Sequence, residues 1–257
     1  GIAFPLIAKP DLGFRGLLVK KVADEGELAD YLLRFPVRFI LQEYIRLPLE
    51  VGVLYYRMPG EERGQVTSIT TKEFLRVSGD GRSTVEALIR ENPRAVLQLE
   101  RIRATDAALL ARVPARGELV NLGIVGNHAK GTRFINSNHL ISEAICRNFD
   151  RITKEVEGLY YGRLDIKCES LDALHTGEGM KVIEINGTCS EPTHIYDPQN
   201  GTYWSALRDI ARHWSIIGRV ARANRRRGAP YLSHKRTAGE FLRLFAYQRM
   251  VRELGGS

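Results

Sequence analysis

Two short apolar segments that carry polar side chains at alternate positions constrain the fold most strongly. The first contains Arg163 and Asp165, and the second ends with Glu184 and Asn186. Side chains two positions apart lie on the same face of a β-strand. We therefore predict two adjacent central strands. Where these strands pair, one surface of the sheet carries two carboxylates, an amide and a guanidinium.

This set of oxygen atoms predicts a magnesium site. Mg²⁺ prefers hard oxygen ligands, keeps several waters and takes phosphate oxygens as further ligands. Asp165, Glu184 and Asn186 are the candidate ligands. The alternative is an ordinary salt-bridged face of a sheet. The apolar neighbours favour the metal, because like charges on a buried face need a cation between them.

Strand and helix patterns alternate along the chain and predict an α+β fold with two lobes. We expect a small lobe at residues 1–57, a large lobe with the metal site at 58–220 and a basic helical extension at 221–257. Asp24 and Glu27 have the spacing of a capping box and predict the start of a helix. Residues 65–71 and 73–78 have the patterns of a pair of strands.

A second set of residues, in the small lobe, has features of a phosphate-binding segment. Lys9 ends an apolar run directly before a turn that contains Gly13 and Gly16. Glycines let backbone amides approach phosphate oxygens, and a lysine supplies a positive charge. The segment 42–45 ends a strand that could offer backbone groups to an adenine, with Glu50 accepting from ribose hydroxyls. Either feature alone is also typical of an ordinary turn or edge strand.

The composition is that of a globular protein with a strong attraction for anions. The 257 residues include 38 lysines and arginines against 30 acidic residues, for a net charge of +8. Part of the excess lies in the arginines between 219 and 227, which form either a solvated helix end or a patch for a membrane or nucleic acid. Three scattered cysteines suit a cytoplasmic location.

Taken in order, these motifs resemble those of the ATP-grasp superfamily, of the carboxylate–amine or carboxylate–thiol ligase type. The similarity extends to about Asp197, and Gly79–Thr84 also resembles a stretch of cyanophycin synthetase and related amide ligases. The block Gly126-Asn127-His128 and the block from Glu191 to Pro198 are similar to those of a bacterial subgroup. Further similarity is to the ATP-grasp domain of D-alanine–D-alanine ligase.

The resemblance implies an ATP-grasp fold, in which two α+β lobes sandwich the nucleotide, and ATP and two Mg²⁺ ions as cofactors. The residues that would bind the nucleotide are Lys9, Gly13, Arg15, Gly16, Gln42, Glu43, Ile45, Glu50 and Lys72. Asp165, Glu184 and Asn186 would hold the metal. Arg163, Lys130 and Asn127 would act on the phosphoryl group or the acyl phosphate.

The implied activity is a ligase that activates a carboxylate as an acyl phosphate and joins it to an amine or thiol. The alternatives are a small-molecule kinase on the same fold and a nucleotide-binding module without catalysis. A nucleic-acid partner is not expected, because the arginines cluster without interleaved aromatic residues; weak contact with an anionic membrane remains open. The family's usual preceding lobe, with a further phosphate-binding lysine, is expected before Gly1.

The segment 187–198 leaves the proposed metal-bearing strand directly and is the expected substrate loop. The candidate substrate contacts are His128, Glu191, His194 and Tyr196. Glu191 would hold an amine, His194 would accept its proton, and Tyr196 would form a wall of the pocket. The alternative is that His194 and Tyr196 only pack the loop.

Overall fold

The computed structural model describes residues 1–13, 16–123 and 126–255, and every strand pairing within them is antiparallel. The strands are β1 (Leu6–Pro10), β2 (Lys20–Val22), β3 (Phe39–Glu43), β4 (Leu49–Tyr56), β5 (Gln65–Glu73), β6 (Arg76–Ser78), β7 (Leu119–Asn121), β8 (Arg133–Asn136), β9 (Tyr161–Cys168) and β10 (Met180–Asn186). The helices are α1 (Glu25–Arg34), α2 (Val85–Glu91), α3 (Leu99–Thr105), α4 (Ala107–Ala111), α5 (Glu143–Lys154), α6 (Ala173–Thr176), α7 (Tyr203–Arg226) and α8 (His234–Gly255). The mixed α and β class is as predicted.

The chain divides into two compact units, Gly1–Arg46 with Pro230–Ser257 and Leu47–Ala229. These bounds differ from the expected lobes, 1–57, 58–220 and 221–257. β4 belongs to the second unit because it pairs with β5 and β9 along its whole length. The predicted basic extension is also divided, since α7 continues to Arg226 in the second unit and α8 belongs to the first.

The first unit is built on a three-stranded sheet in the order β2-β1-β3. Leu6 and Ala8, at alternate positions of β1, pack with Val22 and Tyr31 in a small core. α1 begins as predicted, because the Asp24 side chain accepts from the Glu27 amide at 2.9 Å.

Helix α8 belongs to this unit although it comes from the far end of the chain. Val251 is its most buried side chain, at 1% exposure. Tyr247 lies near Asp11, and burial together with that carboxylate raises the pKa of the tyrosine. A Cβ on Gly255 would lie 3.0 Å from a methyl group of Leu17. The first unit therefore needs both ends of the chain.

The second unit contains a five-stranded sheet in the order β10-β9-β4-β5-β8. One face packs against α5 and α6 through a large apolar core that includes Val53, Leu164 and Phe149. On the other face, α7 packs on Leu54 and Tyr161 through Ile216 and Val220. β9 lies inside the sheet as predicted, but β10 is its edge strand, which corrects the prediction that both are central.

Strands β6 and β7 form a small separate sheet beside helices α2, α3 and α4. The expected pairing of residues 65–71 with 73–78 is wrong: β5 pairs with β4 and β8, whereas β6 pairs with β7. Strands β6 and β7 and helices α2, α3 and α4 are here called the helical subdomain. Leu75, directly before β6, and Val77, within it, pack with Ile89 and Leu99 in its core. Within the described ranges, no helix is long and apolar enough to cross a bilayer.

Candidate functional site

Strand β9 separates an apolar face from a charged one. Leu164 and Ile166 point into the apolar core, while Arg163, Asp165 and Lys167 lie on the opposite face. β10 lies beside β9, with Glu184 opposite Asp165 and Asn186 opposite Arg163. The expected pairing is thus confirmed, and it brings all four predicted polar side chains to one surface.

Glu50, Lys72, Arg163, Asp165 and Lys167 form a network of ion pairs on this surface, here called the charged cluster. Lys72 Nζ lies 2.8 Å from Glu50 Oε1 and 3.2 Å from Asp165 Oδ2. Arg163 Nε lies 2.9 Å from Asp165 Oδ1, and Lys167 Nζ lies 3.7 Å from Glu50 Oε2. Glu50, Lys72 and Asp165 are 4%, 7% and 5% exposed, so these charges are removed from water.

Electrostatics favour the charged forms of Lys72, Arg163 and Asp165 despite their burial. Burial alone would raise the pKa of Asp165, but Lys72 and Arg163 outweigh it and the pKa is lowered. Burial alone would lower the pKa of Lys72, yet Asp165 and Glu50 raise it. The pKa of Arg163 is also raised, because Asp165, Glu184 and Glu191 together outweigh the effect of burial. Each charge is therefore stabilised by its opposite-sign neighbours.

Two glycines make room for the charged cluster. Gly52 of β4 pairs with Asp165 of β9. A Cβ on Gly52 would lie 3.3 Å from both Arg163 Cδ and Asp165 Oδ1. A Cβ on Gly126 would lie 2.5 Å from Glu50 Oε1 and 2.8 Å from Lys72 Cδ. The backbone at Gly126 therefore covers the Glu50–Lys72 pair at a distance that only glycine permits.

Asn186 joins the two strands through its amide. Oriented to satisfy both neighbours, it donates to Glu184 Oε1 and accepts from Arg163 Nη2, each at 3.2 Å. Glu184 is exposed, whereas Asp165 is buried. No group of three or more His, Cys, Asp or Glu residues suited to a metal is found in the described part of the chain. Carboxylate and amide oxygens are ligand types that Mg²⁺ accepts, with water and phosphate in its remaining positions. Binding through Asp165 and Asn186 would replace part of their contacts with Lys72 and Arg163.

The helical subdomain holds the loop that follows Gly126. Asn127 Oδ1 accepts from the Ala129 amide at 2.9 Å, and Gln98 donates to the Ala129 carbonyl at 3.2 Å. Arg94 donates to the carbonyls of Gly131 and Thr132. Burial lowers the pKa of Lys130, and the neighbouring Arg101 lowers it further. This loop is therefore organised by side chains remote from it in sequence.

His194 is buried, with both ring nitrogens in hydrogen bonds. Nδ1 lies 3.1 Å from Ser68 Oγ of β5, and Nε2 lies 3.2 Å from Asp209 Oδ2 of α7. Its backbone N–H donates to Thr70 Oγ1 at 3.2 Å. With 4% exposure, the ring has no open position for an amine, so the packing alternative is favoured over the expected proton acceptor.

The other three candidate substrate residues lie close together. Tyr196 donates a hydrogen bond to Glu191 Oε1, and its ring centroid is 6.5 Å from that of His128. His128 also packs against Phe134, with 5.6 Å between the ring centroids. Tyr196 is 48% exposed, and Glu191 acts on the pKa of Arg163. The loop thus returns toward the charged face of β9.

The nucleotide-binding candidates of the first unit lie on and beside its sheet. Lys9 pairs with Ile40, and Gln42 pairs with Ile7, so both side chains lie on the face opposite the Leu6–Ala8 core. Glu43 ends the edge strand β3, and Ile45 is buried. Gly16 adopts φ 72°. Gly13 would meet nothing within 4 Å if it carried a Cβ. The predicted Arg15 lies outside the described residues.

Three residues of this region were missed by the sequence interpretation. Lys167 follows Arg163 and Asp165 at the same period of two, which could have placed it on the charged face. Ser68 and Asp209, the partners of His194, are far from it in sequence and have no local signal.

Comparisons with known proteins yield little. No family model and no curated protein matches the chain. Among solved structures, it is similar to a bifunctional glutathione synthetase from Pasteurella multocida, with 19% sequence identity and a TM-score of 0.41. The match covers 82% of this chain and 31% of that one, so this chain spans less than a third of that protein's length. Similarity at this level says nothing about activity.

Proposed function

We propose that this chain carries the nucleotide-binding part of an ATP-grasp ligase, which activates a carboxylate as an acyl phosphate and joins it to an amine or thiol. The observation that carries the proposal is the charged cluster, with Glu184 and Asn186 beside it on β10. Buried groups whose pKa is shifted by specific charged partners, as for Lys72, Arg163 and Asp165, are candidates for a functional site. The order of motifs from Lys9 to Asn186 also supports it.

The nucleotide would be held mainly by positive charges and backbone groups. In the first unit, Lys9 would bind the α- and β-phosphates, and the edge strand β3 would offer backbone groups to the adenine. In the second unit, Lys72 would exchange part of its contact with Glu50 and Asp165 for phosphate oxygens. Asp165, Glu184 and Asn186 would hold magnesium, which neutralises phosphate charge and orients the triphosphate when bound.

The chemistry would proceed in two displacements. A carboxylate oxygen attacks the γ-phosphorus, and the bond from that phosphorus to the bridging oxygen breaks, which releases ADP. The amine then attacks the acyl carbon, loses a proton, and inorganic phosphate leaves with the electrons of the C–O bond. Arg163 and Lys130 would offset charge on the developing oxyanion.

The experiment that tests the proposal is a screen of carboxylic acids with ATP, magnesium and hydroxylamine. Hydroxylamine traps acyl phosphates as hydroxamates, so a ligase forms a hydroxamate and releases phosphate only when its acid is present. We expect Glu184→Gln to abolish turnover. Glu178→Gln, at an exposed position in the loop before β10, makes the same substitution away from the charged cluster and should remain active.

Two results would contradict the ligase. A phosphorylated alcohol without any hydroxamate would identify the kinase alternative. Near-normal turnover in Glu184→Gln would remove this carboxylate from the proposed metal site.

A further inference from the structure

The outward side of helix α7 carries an unusual set of aromatic residues. Tyr203, Trp204 and Trp214 are 70%, 75% and 74% exposed. The chain has two tryptophans, and both are in this set. Side chains this large and apolar are seldom left in water on a helix whose other side is packed. The inner side is packed, because His213, Ile216 and Val220 are buried.

The aromatic residues form a stripe along one side of the helix. Tyr203, Leu207 and Trp214 are spaced by four and seven residues, which places them above one another on a helix of 3.6 residues per turn. Trp204 stands beside this stripe, about 100° around the axis from Tyr203. The resulting surface is continuous over the first three turns.

A second stripe, of arginines, runs next to the aromatic one. Arg208, Arg212, Arg219 and Arg226 recur at intervals of four and seven residues, and Arg222 lies between the last two. All five are exposed. The helix contains a single acidic residue, Asp209, whose carboxylate is engaged by His194 at 3.2 Å. The positive charge of this side is therefore not balanced from within α7.

We propose that this side of α7 binds the surface of an anionic phospholipid bilayer. Tryptophan and tyrosine favour the boundary between lipid headgroups and acyl chains, where an aromatic ring is buried and its polar atom stays hydrated. Arginines beside them pair with phosphates of the headgroups. Helices that lie in the plane of a membrane combine an apolar side with a cationic flank in this way.

The separation of the two stripes favours lipid over nucleic acid. Single-stranded nucleic acid is held by aromatic residues interleaved with cations, because each base stacks beside a charged phosphate. On α7, Tyr203 and Trp214 belong to one stripe and the arginines to the adjacent stripe, so cations do not alternate with rings along the helix. The membrane contact uses no residue of the charged cluster, so it is independent of the proposed ligase activity.

Both tryptophans report directly on this surface. We expect vesicles of equal parts phosphatidylcholine and phosphatidylglycerol to shift the tryptophan emission of the full chain to shorter wavelength. Brominated lipids in the same mixture should quench it. Vesicles of phosphatidylcholine alone should do neither, and raised salt should reverse the shift, since the attraction is largely electrostatic.

The variants separate this surface from general positive charge. Arg212→Gln, Arg219→Gln and Arg222→Gln together should weaken vesicle binding at least ~tenfold, because each cation near an anionic surface contributes to partitioning. The matched control replaces Arg76, Arg82 and Arg116, which are exposed elsewhere in the second unit, and loses the same charge. It should bind vesicles as the unaltered chain does. Circular dichroism establishes that both triple variants are folded.

Four results would overturn the proposal. Emission unchanged by anionic vesicles would do so directly, and an equal loss of binding in both triple variants would reduce the effect to net charge. A shift produced by a single-stranded RNA but not by vesicles, or by raised protein concentration alone, would assign the surface to nucleic acid or to a second copy of the chain.

Discussion

Among single residues, Lys72 contributes most to the stability of the charged cluster, because two buried carboxylates depend on it. Lys72→Met would keep the apolar stem, remove the closest cation of Glu50 and leave Asp165 paired with Arg163 alone. Breaking a buried ion pair on one side typically costs about 3 kcal/mol or more. We expect the free energy of unfolding in urea to fall by about that amount at neutral pH. Lys154→Met, which removes an exposed ion pair with Glu62, should lower it by less than about 1 kcal/mol.

The effect of Lys72→Met should also depend on pH. The pKa of Asp165 is lowered in the folded chain, so its contribution is present above the unfolded value, about 3.9, and is lost as pH falls through the folded value. As pH falls through this lowered pKa, Asp165 takes up a proton and no longer needs Lys72. The difference in the free energy of unfolding between Lys72→Met and the unaltered chain should therefore narrow in that acidic range. A difference that stays constant as pH falls would contradict this prediction.

Gly126 is a position beside the charged cluster at which added volume should be poorly tolerated. Gly126→Ala would bring a methyl group to 2.5 Å from Glu50 Oε1, so either the loop or the ion pair must move. Overpacking of this kind typically costs about 1–3 kcal/mol. Gly239→Ala in α8, where a Cβ meets nothing within 4 Å, should stabilise the chain slightly. Equal melting temperatures of Gly126→Ala and Gly239→Ala would contradict this prediction, because they would show that the loop at Gly126 moves at no cost in stability.

At the level of elements, the loop 187–198 is fastened to β5 and α7 by His194. His194→Ala would leave Ser68 and Asp209 without their shared partner. Ser68 is buried, and an unsatisfied buried group costs about 1–3 kcal/mol. We expect a lower melting temperature, with ATP binding unchanged. His139→Ala, at an exposed position, is the control. Normal stability combined with slowed amide formation would instead restore His194 as a proton acceptor.

Local patterns in the sequence predicted some elements and missed the pairing of others. The period of two placed Arg163 and Asp165 on one face, and the capping residues predicted the start of α1, where the Asp24 side chain accepts from the Glu27 amide. The edge position of β10 was not predicted, because it depends on whether another strand pairs with the far side of β10. The pairing of β6 with β7 joins residues about forty positions apart, which no local pattern reports.

At the scale of the whole molecule, the second unit has its apolar cores within one continuous stretch of chain. The large core, the helical subdomain and the contact of α7 with the sheet all lie within Leu47–Ala229. We expect residues 47–229 produced alone to unfold cooperatively in urea, as judged by coincident circular dichroism and tyrosine fluorescence. Residues 1–46 alone should stay unfolded, because their core is small and α8 is missing.

The expected lobe boundaries missed this arrangement because sequence patterns are read along the chain. Glu50 was grouped with Gln42 and Glu43 in the first lobe, although β4 forms its hydrogen bonds with β5 and β9. Membership of α8 in the first unit rests on contacts such as Tyr247 with Asp11, whose positions are separated by nearly the whole chain. Neither the pairing of β4 nor the packing of α8 can be predicted from local composition or periodicity.

The divided first unit has a consequence for how the protein is made. A ribosome synthesises β1, β2, α1 and β3 early, and then the entire second unit, before it reaches α8. The second unit has all its own strands by then and can fold as it emerges. The amino-terminal strands must wait through that interval with their apolar side chains uncovered. During translation they are therefore the part of this nascent chain most in need of a chaperone.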